Sequence, residues 1–204
     1  MEEKKLTARQ KQALQTKETL FLTAMELFSK KGYDAVSVDE IVAKAGTSKG
    51  AFYTHFKSKD QVIIEQFLMF DEHYLRFYNK MPSNISFVDK LILFCQELFS
   101  YTAKGIGRDM IKVTYSSQLG KADHSFIASE NRSIYKITET IIKEGQLTGE
   151  FRSDLSADRL AKIIIRCMRG WVYDWCLPDE DFDLVEEGRD FVHTFIENLL
   201  KKQS

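Results

Sequence analysis

The chain has 204 residues with 29 Lys and Arg against 30 Asp and Glu, a net charge of −1, and 44% hydrophobic content. It is long enough to bury a sizeable core, and no apolar run approaches the roughly 20 residues of a membrane span. Three cysteines, Cys95, Cys167 and Cys176, lie on apolar stretches without metal-ligand spacing, which argues against a secreted disulfide scaffold and for reduced core thiols in a soluble cytoplasmic protein.

With 2 Pro, 10 Gly, 15 Phe and long stretches of period near 3.6, the expected class is all-α. The first dozen residues, MEEKKLTARQKQ, are polar without an apolar period and are expected to be partly disordered. Lys4, Lys5, Arg9 and Lys11 could touch a polyanion, although Glu2 and Glu3 interrupt them. The first helix is expected over Thr16–Lys31, with Leu20, Ala24, Leu27 and Phe28 as its buried stripe and Gly32 as its stop.

Next comes SVDEIVAKAGTSKGAFYTHF, Ser37 to Phe56, which reads as two short helices joined at Gly46. Ser37 and Ser48 are N-cap residues, and Val38, Ile41, Val42 and Ala45 share one face of the first helix. Phe52 and Phe56 anchor the second helix, leaving Lys49, Tyr53, Thr54 and His55 for solvent or phosphate. Gly50 and Ala51 keep the start of that helix slim beside Lys49, as close approach to DNA requires. Charge supports the reading. Residues 1–60 hold 11 Lys and Arg against 8 Asp and Glu, net +3, which leaves 18 against 22, net −4, for residues 61–204.

Ser58 with Gln61 forms a capping box that starts a helix to about Tyr78, with Val62, Ile63, Phe67, Phe70 and Tyr74 inward. Met81-Pro82-Ser83-Asn84 breaks the chain. Five further helices are expected: Ser86–Lys104 closed by Gly105, Arg108–Leu119, Ser125–Glu144, Ala157–Leu177 and Leu184–Lys202. The loop Gly145–Asp154 should turn with Phe151 as an inward anchor. The last two helices carry broad apolar faces, Leu160, Ile163, Ile164, Cys167, Trp171 and Trp175 on one, Phe191, Val192, Phe195, Ile196, Leu199 and Leu200 on the other. Faces that wide suit a two-fold dimer through about 157–177 and 184–202.

From Thr16 to Val62 the sequence resembles the N-terminal pattern of the tetracycline-repressor (TetR) family of bacterial transcription regulators. ELF…KGY, SVDEIVAKAG, SKGAFYTHF and KSKD occur together and in order. The resemblance covers about residues 14–74; beyond it only the length, the helical pattern and the GEF turn agree. It implies a three-helix DNA-binding domain over 14–74, with the helix-turn-helix at 37–56, and a ligand-binding and dimerisation domain over 75–204. It places phosphate contacts at Lys17, Ser37, Tyr53, His55 and Lys59, and base-edge positions at Thr47, Lys49 and Ala51, with Ser48 capping and Gly50 admitting the backbone. Lys17 stands where the family often has Arg, which keeps the charge and loses a bidentate fork.

The expected mechanism is a homodimeric repressor on a palindromic double-stranded operator, released when a small effector shifts the helix from Ser58 to Tyr78. The resemblance suggests Phe67, Phe70, Tyr74, Phe94, Met110, Tyr115, Tyr135, Trp171 and Trp175 as a lining for an apolar or aromatic effector, with Asp174 facing any cationic group. An enzyme is the rival class. His55, His73, His124 and His193 form no metal or triad pattern, and neither a cofactor loop nor a metal site is expected. A DNA binder whose C-terminal domain only dimerises is a second rival.

Overall fold

The computed structural model describes residues 7–119, 126–178 and 181–201. Lys4 and Lys5 of the basic arm, His124, Ser125 at an expected helix start and Lys202 at an expected helix end lie outside them. Among the described residues the chain forms α-helices without any strand: α1 Ala8–Lys31, α2 Val38–Lys44, α3 Lys49–His55, α4 Lys59–Asn79, α5 Phe87–Ser100, α6 Arg108–Leu119, α7 Ser133–Leu147, α8 Ala157–Trp175 and α9 Glu186–Leu200. Two compact units result, residues 1–67 with 112–127 and residues 68–111 with 128–204. The division falls inside α4, at Phe67, rather than after Tyr74, and α6 is likewise shared.

Several boundaries differ from the sequence expectation: α7 runs past Glu144 to Leu147, which takes Gly145 out of the expected loop and into the helix, α9 starts at Glu186 and not at Leu184, and four more have a local cause. First, helix α1 begins at Ala8 and not at Thr16, so residues 8–12 of the stretch expected to be partly disordered are helical. The cause is a capping box: Thr7 Oγ1 accepts from the Gln10 N–H at 3.2 Å and Gln10 Oε1 accepts from the Thr7 N–H at 2.8 Å. Residues 8–15 are exposed, so that stretch carries no apolar period to announce the helix. Second, α5 does not run to Gly105. It passes at Tyr101 into a π-helical turn, Tyr101–Ile106, which ends at Gly107 with φ +90°. Third, α7 starts at Ser133 after a 3₁₀ turn at Phe126–Ala128. Fourth, α8 ends at Trp175, where Cys176 and Leu177 donate to Tyr173 and Asp174 carbonyls in a closing turn.

In the first unit, α1, α2 and α3 pack around Leu20, Ala24, Phe28, Ile41, Phe52 and Phe56, all fully buried. Val38 and Ala45 are only half-buried, at the edge of that core. The N-terminal part of α4 is fixed to it by Val62, Ile63 and Phe67, and Phe67 packs on Phe126 at 5.3 Å.

The second unit is built on α5, α7, α8 and α9 around Phe94, Leu91, Ile141, Leu160 and Val192. Phe151 is 1% exposed, as an inward anchor should be. Its ring lies where a Cβ on Gly145 would stand, 2.3 Å from the nearest ring carbon, so the turn closes only over glycine. Arg132 grips Asp71 with two N–H groups at 3.1 and 3.3 Å, and both side chains are buried. Removing one partner of such a pair strands a buried charge. The broad apolar faces of α8 and α9 divide. Leu160, Ile164, Trp175, Val192, Ile196 and Leu200 are buried, whereas Ile163, Cys167, Trp171, Phe191, Phe195 and Leu199 stay half-exposed. Of the thiols, Cys95 is buried, and burial raises its pKa to about 12; Cys167 and Cys176 are half-buried.

Candidate nucleic-acid interface

Ser37 opens α2 by accepting the Glu40 N–H at 3.2 Å, and Ser48 opens α3 by accepting the Ala51 N–H at 3.1 Å. Between them the chain turns in a Schellman motif. The Thr47 N–H donates to the Val42 carbonyl at 3.0 Å and the Gly46 N–H to the Ala43 carbonyl at 3.3 Å. Gly46 adopts φ +65°, the left-handed value such a turn demands. The inner face of α3 is fixed by Phe52 and Phe56, 5.6 Å apart at their ring centres. The caps, the turn and these buried rings together orient the opposite face.

That face holds the residues singled out from the sequence. Ser37, Ser48, Lys49, Gly50, Tyr53 and Thr54 are exposed, while Thr47, Ala51 and His55 are half-buried at its margin. A Cβ on Gly50 would meet only Ser48 Oγ, at 3.7 Å, so the start of α3 is open to close approach. Exposed donors at a helix N-terminus beside a cation are suited to phosphate oxygens and base edges.

The lysines are less free than the sequence implies. Lys17 is ion-paired with Glu65 of α4 and its ammonium lies 5.9 Å from the Phe56 ring centre. Lys59 donates to the carbonyls of Tyr33 and Val36 at 2.7 and 3.0 Å and lies 4.3 Å over the Tyr33 ring. Both hold the start of α4 to α1 and to the loop before α2. Tyr33 itself bonds Asp60, and burial together with that carboxylate pushes its hydroxyl pKa far up. Lys44 pairs with Glu26 at 2.8 Å, and Lys49 pairs with Asp39 at 2.6 Å.

Sequence reasoning missed two residues here. Asp39 is the exposed partner of Lys49. Lys57, exposed between α3 and α4, has no carboxylate in ion-pair range among the described residues. Its position between two cap serines, Ser48 and Ser58, was the available signal.

The expected effector-lining residues are divided between the two units. In the second unit Phe70 and Tyr74 pack on Tyr101 with ring centres 6.2 and 5.9 Å away, and Phe94 packs on Tyr74 at 6.1 Å. Tyr135 is buried in the same unit and Met110 half-buried. Phe67 and Tyr115 belong to the first unit. Trp175 stacks with Arg108 at 5.0 Å, whereas Trp171 faces Phe191 at 4.7 Å in an open groove floored also by Phe195 and Leu199. Asp174 is exposed. Of the histidines, His73 bonds Glu97 at 2.6 Å and stacks on Tyr101, and His193 bonds Gln96 at 3.2 Å.

Comparison with known proteins agrees with this geometry. Residues 17–65 match the family described as bacterial regulatory proteins, tetR family, and residues 75–198 match the C-terminal region of YsiA-like protein. The HTH-type transcriptional repressor BepR of Brucella suis biovar 1 (strain 1330) is 27% identical, over 92% of this chain and 93% of that one. The HTH-type transcriptional regulator AcrR of Shigella flexneri is 24% identical, over 93% and 91%. The solved structure of the regulator FadR from Bacillus subtilis in complex with stearoyl-CoA superposes with a TM-score of 0.72 at 20% identity, over 90% of this chain and 99% of that one. A family match across both parts of the chain, joined to a capped helix-turn-helix with its polar face in solvent, makes the chain a member of the TetR family of DNA-binding bacterial transcriptional regulators.

Proposed function

We propose that the protein is a cytoplasmic repressor that grips a palindromic operator as a homodimer and lets go when an apolar or aromatic small molecule binds its second unit. The observation that carries the reading is the solvent-facing start of α3, where Thr47, Ser48, Lys49, Gly50 and Ala51 present donors and open backbone. In this reading Thr47, Lys49 and Ala51 face base edges, and Ser37, Tyr53 and His55 meet the phosphates. Lys17 and Lys59 act chiefly by pinning α4, while Lys57 supplies the uncompensated charge beside them. The half-exposed rings of α8 and α9 supply the two-fold contact that a pair of half-sites requires.

Support for an apolar effector comes from the aromatic cluster around Tyr101 and from the acyl thioester carried by the Bacillus subtilis FadR structure. An effector acts by binding the two conformers unequally. Helix α4, continuous through both units, is the segment able to carry the difference.

The test is selection of bound duplexes from a random library by the purified protein, followed by binding in the presence of apolar and aromatic compounds, long-chain acyl-CoA among them. A palindrome with half-site centres roughly 34 Å apart should emerge. A compound that raises Tm should lower operator affinity. Recovery of no sequence above background would end the operator reading, and a compound that raises Tm with operator affinity unchanged would end the inducer reading.

A further inference from the structure

In the first unit four lysines are paired with carboxylates from within, Lys17 with Glu65, Lys31 with Glu40, and Lys30 and Lys44 with Glu26, while Lys59 donates to two carbonyls. Lys49 differs in where its partner stands. Asp39 is in the first turn of α2, Lys49 opens α3, and their side chains are 69% and 57% exposed with 2.6 Å between Oδ1 and Nζ. Two helix starts thus present one joined acid and base on the same solvent face, beside the cap hydroxyls of Ser37 and Ser48.

We propose that Asp39 is a specificity-determining residue of the DNA-reading surface, holding the Lys49 ammonium so that it accepts neutral base-edge partners and resists phosphate. The inference rests on the reading of Lys49 as a base-edge contact. An ammonium has three donors. One is committed to Asp39, and two remain for acceptors such as O6 and N7 of a guanine, which add no negative charge next to the carboxylate. A phosphate in the same place brings its own charge against Asp39. Lys49 must then leave its partner or hold two anions together, and either course weakens sequence-independent binding. Discrimination of this kind arises from the penalty on the wrong complex as much as from contacts in the right one. The Asp39 carboxylate also raises the Lys49 pKa by hydrogen bonding.

Asp39→Asn removes the charge and keeps the shape. Its binding should be compared with the parent's on the selected operator and on a scrambled duplex of equal length, by fluorescence anisotropy through a salt series. The scrambled duplex should bind more tightly, its salt slope should steepen by about one ion, and the operator-to-scrambled ratio should fall by about tenfold. In a Lys49→Ala background the same change should leave the ratio where Lys49→Ala put it. Asp39 also lies where a helix N-terminus favours an anion. If that is its whole role, Asp39→Asn lowers Tm and weakens both duplexes in proportion, and the unchanged ratio overturns the proposal. If Lys49→Ala itself leaves the ratio unchanged, the base-edge reading of Lys49 falls, and the role of Asp39 falls with it. If Lys49→Ala lowers the ratio and Asp39→Asn does not, only the role of Asp39 is lost.

Discussion

At Gly46 the φ of +65° is imposed by the turn and not by crowding, since a Cβ there would meet nothing within 4 Å. Gly46→Ala should therefore cost only the left-handed penalty, about 1–2 kcal/mol, and Gly46→Asn less, because Asn tolerates that region. Chemical denaturation of the two variants checks the order. Glu26 makes a second residue-level case, because hydrogen bonds from Lys30 and Lys44 draw its carboxyl down to about 2. The sign follows from the lowered folded pKa: the contribution is complete above the ordinary carboxylate value and is lost as pH falls toward about 2. Glu26→Gln should flatten the decline of Tm through that acid window, and an unchanged slope would mean that the pairs form no net link. Residues whose partners are close in sequence were legible, as Ser37, Ser48 and Gly46 were, because capping and turn chemistry act over three to five positions. Lys17 and Lys59 were not. Their partners lie 48 and up to 26 residues away, brought close only by folding.

Helices show the same division at larger size. Apolar spacing placed α2, α3, α4, α6 and α8 within a few residues, since each buries one stripe. It could not announce the N-terminal turns of α1, whose residues 8–15 are exposed, nor the π-helical turn at Tyr101, because one extra residue in a turn leaves the apolar count almost intact. Glycines within helices were the least legible, because their role depends on what stands opposite. Gly145 in α7 faces the Phe151 ring, so Gly145→Ala must displace a fully buried side chain and should destabilise by about 1–3 kcal/mol. Gly170 in α8 is exposed with nothing within 4 Å of its would-be Cβ, so Gly170→Ala should raise monomer stability by up to about 1 kcal/mol through helix propensity. Urea unfolding of the pair should show shifts of opposite sign. Shifts of the same sign would mean that local packing does not control either site.

For the whole molecule, the apolar pattern of α8 and α9 gave the residues of both faces without saying which half was committed to the core. The fold commits Val192, Ile196 and Leu200, and leaves Phe191, Phe195 and Leu199 one turn apart along a groove beside Trp171. Phe191 and Phe195 are stacked at 5.1 Å and 14°, so a second copy would meet two aromatic side chains already held in place by each other. Phe195→Glu puts a charge on that surface while sparing the core, so the monomer should lose no more than about 1 kcal/mol. Light scattering should then report the 23.7 kDa chain in place of a dimer. Operator affinity should fall by about 10²-fold or more, because two linked reading helices become two independent ones. Affinity for a single half-site should be unchanged. A variant that stays dimeric would move the two-fold contact elsewhere, and one that turns monomeric with full operator affinity would show that one reading helix suffices.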